Sequence, residues 1–205
     1  MNPKAAMKDA DARAASAAPS RIEAGLFRAN GDMDRLAAKG RSVLPGLLVV
    51  LEGGDYYQKV CAVACISRML GKGVDCSDAK PLLRETLKNG NSCLKAYSAH
   101  VLGRMGDLES IPEIAKGLPD KDHVIRWHCA GALEALGPAS VPELLKALYG
   151  KNEIAKREAR RSLVIISNER PGSVPLDALE EMSRMEREDE VLRSHGAVKH
   201  KQVII

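Results

Sequence analysis

Aromatic residues are almost missing from this chain: Phe, Trp and Tyr make up 3% of 205 residues, and Trp127 and Phe27 each occur once. Any core must therefore be built from Leu, Ile, Val, Ala and Met. With 45% hydrophobic residues there is enough of that material for one large domain or an elongated array. The palette favours helices packed on helices, because strands draw on β-branched and aromatic side chains. Long apolar runs are missing too, and nothing approaches the roughly 18 residues needed to span a bilayer. Residues 1–20 lack an apolar h-region and carry Asp9 and Asp11, so the expectation there is a flexible tail rather than a secretory leader. Cysteines number five, an odd count that excludes a complete disulfide framework and points to a reducing, cytoplasmic setting. Charge is balanced, with 31 Lys and Arg against 27 Asp and Glu, and a net charge of +4 implies nucleic-acid binding only if the cations cluster on one face.

Catalytic signatures are also missing. The sequence has no G-x-G-x-x-G, Walker-type loop, G-x-S-x-G elbow or paired-acid arrangement, and its glycines fall where helical patterns stop. It has no C-x-x-C either. Cys61 and Cys65 are spaced i, i+4, and with Cys93 and Cys129 they read as small buried thiols rather than zinc ligands. No catalytic residue, metal or cofactor is assigned.

What the sequence does have is a period. Pro45, Pro81, Pro112, Pro142 and Pro175 each open a helical pattern, at spacings of 36, 31, 30 and 33. Proline suits the first turn of a helix, where its missing N–H costs nothing. Apolar residues follow the first four prolines at two and six positions: Leu47 and Leu51, Leu83 and Leu87, Ile114 and Leu118, Leu144 and Leu148. Ten residues after each of these prolines stands a capping side chain, namely Asp55, Asn91, Asp122 and Asn152. Four further on comes a cation: Lys59, Lys95, Arg126 and Lys156. In a fifth unit Asp189 follows Pro175 by fourteen, with Arg193 four later, which fits the same motif with a first helix one turn longer.

Counted from the cation, small or apolar residues recur three, seven and ten positions on: Ala62, Ile66 and Met69; Ser98, Leu102 and Met105; Cys129, Leu133 and Leu136; Ala159, Leu163 and Ile166. Those offsets share one face of a helix and predict a buried stripe. Gly71, Gly106 and Gly137 read as helix stops, and Asp32 and Gly40 as the cap and stop of a short helix in residues 21–40. The segment GKGVDCSDAK is expected to form a loop that lengthens the first repeat.

Segments such as KAYSAHVLGRMGDLESIPEIAKGL and DHVIRWHCAGALEALGPASVPELLKAL resemble the short HEAT-like repeats of phycobilisome-lyase-type proteins, over about residues 43–170 well and 171–200 poorly. The resemblance implies an all-α, right-handed α-solenoid of about five two-helix repeats. The expected organisation is a tail at 1–20, N-terminal capping helices at 21–42, repeats at 43–79, 80–110, 111–140 and 141–173, and a divergent C-terminal repeat or cap at 174–205. It further implies that Asp55, Lys59, Asn91, Lys95, Asp122, Arg126, Asn152, Lys156, Asp189 and Arg193 form a ladder between neighbouring repeats. Long cations at the stripe's border have the reach for this.

Enzymes of similar fold, the deoxyhypusine hydroxylases, place His-Glu pairs one and two residues after the cation to hold two irons. The matching positions here are Val60 and Cys61, Ala96 and Tyr97, Trp127 and His128, Arg157 and Glu158, Ser194 and His195, none of them a His-Glu pair. In this fold such positions line the concave face, which gives a candidate partner surface of Tyr97, His100, Trp127, His128, Arg157, Glu158, Arg161 and His195. Trp, Tyr and Arg are the types that anchor partners. The competing account is that Trp127 packs sideways on a neighbouring repeat and the rest is a solvated face. The basic run Lys151–Arg161 is diluted by Glu153 and Glu158. The expected function is therefore a non-enzymatic scaffold or adaptor for a protein partner. The alternatives are an accessory subunit of a bilin or tetrapyrrole lyase complex and backbone-directed nucleic-acid binding through Arg157, Arg160 and Arg161. The oligomeric state is open, and the apolar end Val203, Ile204 and Ile205 either docks on the last helices or awaits a partner.

Overall fold

The computed structural model describes residues 29–201, with side chains described from Met33 to Glu190 apart from Asp189. The 1–20 tail, the start of the capping segment, the side chains of Arg193 and His195, and Val203 to Ile205 lie outside that description. Among the described residues all regular structure is helical. In chain order the helices are α1 (Ala29–Ala38), α2 (Leu44–Gly53), α3 (Tyr56–Gly71), α4 (Lys80–Asn89), α5 (Ser92–Arg104), α6 (Ile111–Ala115), α7 (His123–Leu136), α8 (Val141–Leu148), α9 (Glu153–Glu169) and α10 (Leu176–Lys201).

The period explains the pairing. Pro45, Pro81, Pro112 and Pro142 sit in the first turns of α2, α4, α6 and α8. Asp55, Asn91, Asp122 and Asn152 cap α3, α5, α7 and α9, each side chain accepting from a main-chain N–H of the first turn. Asp55 and Gln58 complete a reciprocal capping box. Four helix pairs result, α2/α3, α4/α5, α6/α7 and α8/α9, and the substantial helix packing runs between neighbours in the row. The second helices stack on one another more extensively than the first helices do, so their layer is the tighter side of the row.

The core lies between the two layers. Leu47, Leu83, Ile114 and Leu144 from the first helices and Leu118 from the turn after α6, with Ala62, Ile66, Leu102, Leu133 and Leu163 from the second helices, are fully buried and belong to one apolar cluster. Each leucine so buried contributes about 1.5–3 kcal/mol. Gly103 sets the approach of α5 to α7, since a Cβ there would lie 2.7 Å from Ala132 Cα.

Ion pairs tie the first two repeats to the turns that launch the next. Arg41 pairs with Asp75 and Asp78 in the segment after α3. Arg84 of α4 grips Asp107 after α5 and pairs with Glu109, and Lys80 Nζ lies 3.7 Å from Asp107. Burial pushes the Asp107 carboxyl up, but the Arg84 hydrogen bond and charge, with help from Lys80 and Ser110, outweigh it and hold the group below its ordinary range. Ser110 and Ser140, both buried where α6 and α8 begin, donate to Asp107 O and to Leu133 and Gly137 O, each at 2.7 Å.

Several expectations are corrected. The segment after Pro175 is one helix that runs through Asp189 and Arg193, not a fifth pair with Asp189 as a cap. Asp32 lies inside α1 and is not its cap. Gly71 is the last residue of α3, and the left-handed turn comes two residues later at Gly73, φ +76°. Three of the cations four residues after the caps make contacts close in sequence. Lys59 Nζ donates to Glu52 O at the end of α2, and Arg126 donates to Asp120 O and Lys121 O before its own helix, while Lys156 pairs with Glu153. None of these three contacts is to a neighbour's cap, and the one tie among them that crosses to the next repeat runs from Arg126 to Glu158 of α9.

Candidate binding face

The exposed edge of α5, α7 and α9 brings together most of the residues that the sequence nominated. Tyr97 and His100 stand one turn apart on α5, and Trp127 and His128 lie in the first half of α7. His128 is the hub. Its ring lies 5.4 Å from Tyr97, 5.6 Å from His100 and 4.9 Å from Trp127 by centroids, the last two edge-on. Trp127 is 61% exposed and Tyr97 40%, so the indole does not pack sideways into the neighbouring repeat. Burial favours the neutral imidazole at His100, with the nearby Arg104 adding to it. Burial does the same at His128, with His100 adding. His128 Nδ1 is buried and has no hydrogen-bond partner among the described residues.

A second cluster adjoins the first. Glu158 of α9 lies 3.5 Å from Arg126 Nε on α7, 3.8 Å from Arg157 and 3.7 Å from Arg161. Arg161 reaches back to Glu134 of α7 at 3.3 Å, and Ser162 Oγ donates to the same carboxylate at 2.8 Å. Arg104 of α5 continues the strip toward α3 by donating to Ser67. The eight-residue prediction thus divides into an aromatic group and an ionic group on adjacent helices. His195 lies outside the described side chains.

Sequence reasoning gave Arg126 a role between repeats but to a neighbouring cap rather than to Glu158, and it missed Glu134, Gly131 and Arg104. Glu134 was legible in principle, because it stands seven residues after Trp127 and so projects from nearly the same face of α7. The expectation that glycines fall where helical patterns stop fails at Gly103 and Gly131, both inside helices, and a glycine within such a pattern with no turn around it was the weaker signal for Gly131.

The second cluster is an ion-pair network. Its carboxylates are engaged by guanidiniums, and no group of three or more His, Cys, Asp or Glu is placed to hold a metal among the described residues. No helix among them is long and apolar enough to cross a membrane. All five cysteines are free, and the expectation of buried thiols holds for Cys65 and Cys129 but not for Cys93, which is exposed, or for Cys61, which is half-buried. Burial pushes the Cys129 thiol up to about 12 and the Cys65 thiol up to about 11. A cleft of about 380 Å³ opens between the first two pairs, with Tyr56, Lys59, Leu82 and Glu85 among its walls, away from this face.

Stacked helix pairs with a shared core define an α-solenoid. Residues 79–164 match the family model for HEAT repeats, a span that holds α4 to most of α9, and this supports a HEAT-like repeat protein. HEAT repeats generally mediate contacts between proteins. No curated protein matches the chain.

Proposed function

We propose that this protein is a non-enzymatic, cytoplasmic scaffold whose second helices form the concave face of the solenoid and hold a segment of a protein partner. Tyr97, His100, Trp127, His128, Arg157, Glu158 and Arg161 are the contact residues. One observation carries this reading: the chain's single tryptophan is kept 61% exposed on a rigid helix beside a second exposed aromatic. Tryptophan, tyrosine and arginine dominate the energetics of protein interfaces, and here they converge on three successive repeats. The interleaved carboxylates Glu134 and Glu158 weigh against a phosphate-tracking surface, which works by an excess of unpaired cations.

The test is affinity capture with the wild type beside a Trp127→Ala, Arg157→Ala double variant, with folding checked by circular dichroism. Partners retained by the wild type and lost by the folded variant are the expected result. Recovery of the same partners by both proteins would reject the face.

A further inference from the structure

Two glycines inside helices have opposite surroundings. Gly103 is required by packing, because a side chain there would meet Ala132. At Gly131 an added Cβ would meet nothing within 4 Å. Glycine is the poorest helix former after proline, and this one is neither at a helix end nor under a neighbouring backbone. It stands four residues after Trp127, three after His128 and three before Glu134. It therefore floors a gap on the candidate face, with the aromatic cluster on one side and the Glu134–Arg161 pair on the other.

Charge around the gap is uneven. Arg126, Arg157 and Arg161 face Glu134 and Glu158. The side chains of Arg157 and Arg161 are 61% and 45% exposed, against 15% and 18% for Glu158 and Glu134. The carboxylates thus lie beneath the guanidiniums and orient them, and the charge presented to a visitor is positive.

We propose that this gap receives a side chain of an acidic peptide segment: an apolar or planar residue sits over Gly131 against Trp127, and flanking carboxylates pair with Arg157 and Arg161. The proposal rests on the partner-binding reading of the face and names the chemistry of the partner. Planar guanidinium forks match carboxylates, and an exposed indole beside a hollow matches a single inserted side chain. A single-stranded nucleic acid would instead need stacking platforms for successive bases along an unbroken basic groove.

The test uses the full chain and four labelled probes followed by anisotropy. Three peptides share a Leu-Pro-Leu centre flanked by glutamates, glutamines or lysines, and the fourth probe is a uridine oligonucleotide. The glutamate peptide is expected to bind tightest, with roughly tenfold or greater weakening in Trp127→Ala and in Arg157→Glu. Gly131→Ala is expected to raise Tm yet weaken that peptide, and Gly131→Leu to weaken it further. A purely structural glycine would give the rise in Tm with affinity unchanged, which overturns the proposal. So does tighter binding of the lysine peptide or the oligonucleotide, or no measurable binding of the glutamate peptide. A Trp127-dependent preference for the glutamine or lysine peptide would remove the acidic assignment and leave the partner face standing. Among these tests the capture experiment is the one that decides the face itself, which fails there if partners survive the loss of Trp127 and Arg157.

Discussion

Arg84 Nε donates to Asp107 Oδ2 at 2.7 Å across 23 positions of chain, and this fixes the first helix of one repeat to the turn that starts the next. The carboxylate is only 2% exposed, so its two cationic neighbours replace the water it has lost.

Asp107→Asn should therefore destabilise the protein by about 1–3 kcal/mol, measured by urea unfolding at neutral pH. The folded carboxyl titrates below the unfolded value of about 3.9, so the pair contributes fully above about pH 4. That contribution is lost as the pH falls through the folded value. The variant's disadvantage should shrink on acidification, and a difference independent of pH down to about pH 2 would contradict the pairing.

The two histidines should act in the opposite range. Both are held neutral below the unfolded value of about 6.5, so the unfolded chain takes up protons first and stability falls as the pH drops through that value. Thermal unfolding between about pH 7.5 and 5 should show a fall in Tm that is reduced in a His100→Gln, His128→Gln double variant. Parallel curves for the two proteins would contradict the stated burial.

The glycines give a third contrast. Gly103→Ala should cost about 1–3 kcal/mol, because α5 and α7 would have to part. Gly131→Ala should stabilise by about 1 kcal/mol through helix propensity alone. Equal effects in chemical denaturation would mean that the two sites do not differ in packing.

Thiol labelling with iodoacetamide, read by mass spectrometry, should modify exposed Cys93 first in the native protein. Cys65 and Cys129 should label only on unfolding, since both are buried and their thiolates are strongly disfavoured. Early modification of Cys129 would show that the α6–α7 packing opens under native conditions.

Much of this architecture could be read from residue order because the repeat obeys local rules. A proline in the first turn, an Asx cap ten residues on and a stripe at helical spacing each act within one or two turns. The stripe residues Leu47, Leu83, Ile114 and Leu144 are accordingly buried. The reading failed where local rules were ambiguous or silent. Asp189 has cap-like spacing, yet the residues around it are strong helix formers with no proline or glycine nearby until Gly196, so the helix continues. The Arg84–Asp107 and Arg126–Glu158 pairs join residues 23 and 32 apart and leave no periodic mark. The aromatic side of the site was legible from the positions after each cation. Its glycine floor was not, because a glycine's role depends on what lies above it.

The central claim, that a partner seats on the second-helix face, has a built-in reporter in the single tryptophan. The measurement is the emission of Trp127 as a tryptophan-free version of a captured partner segment is titrated in. Docking on this face predicts a blue shift that saturates with binding, and its loss in Gly131→Leu. Saturable binding with Trp127 emission unchanged would place the partner elsewhere on the molecule.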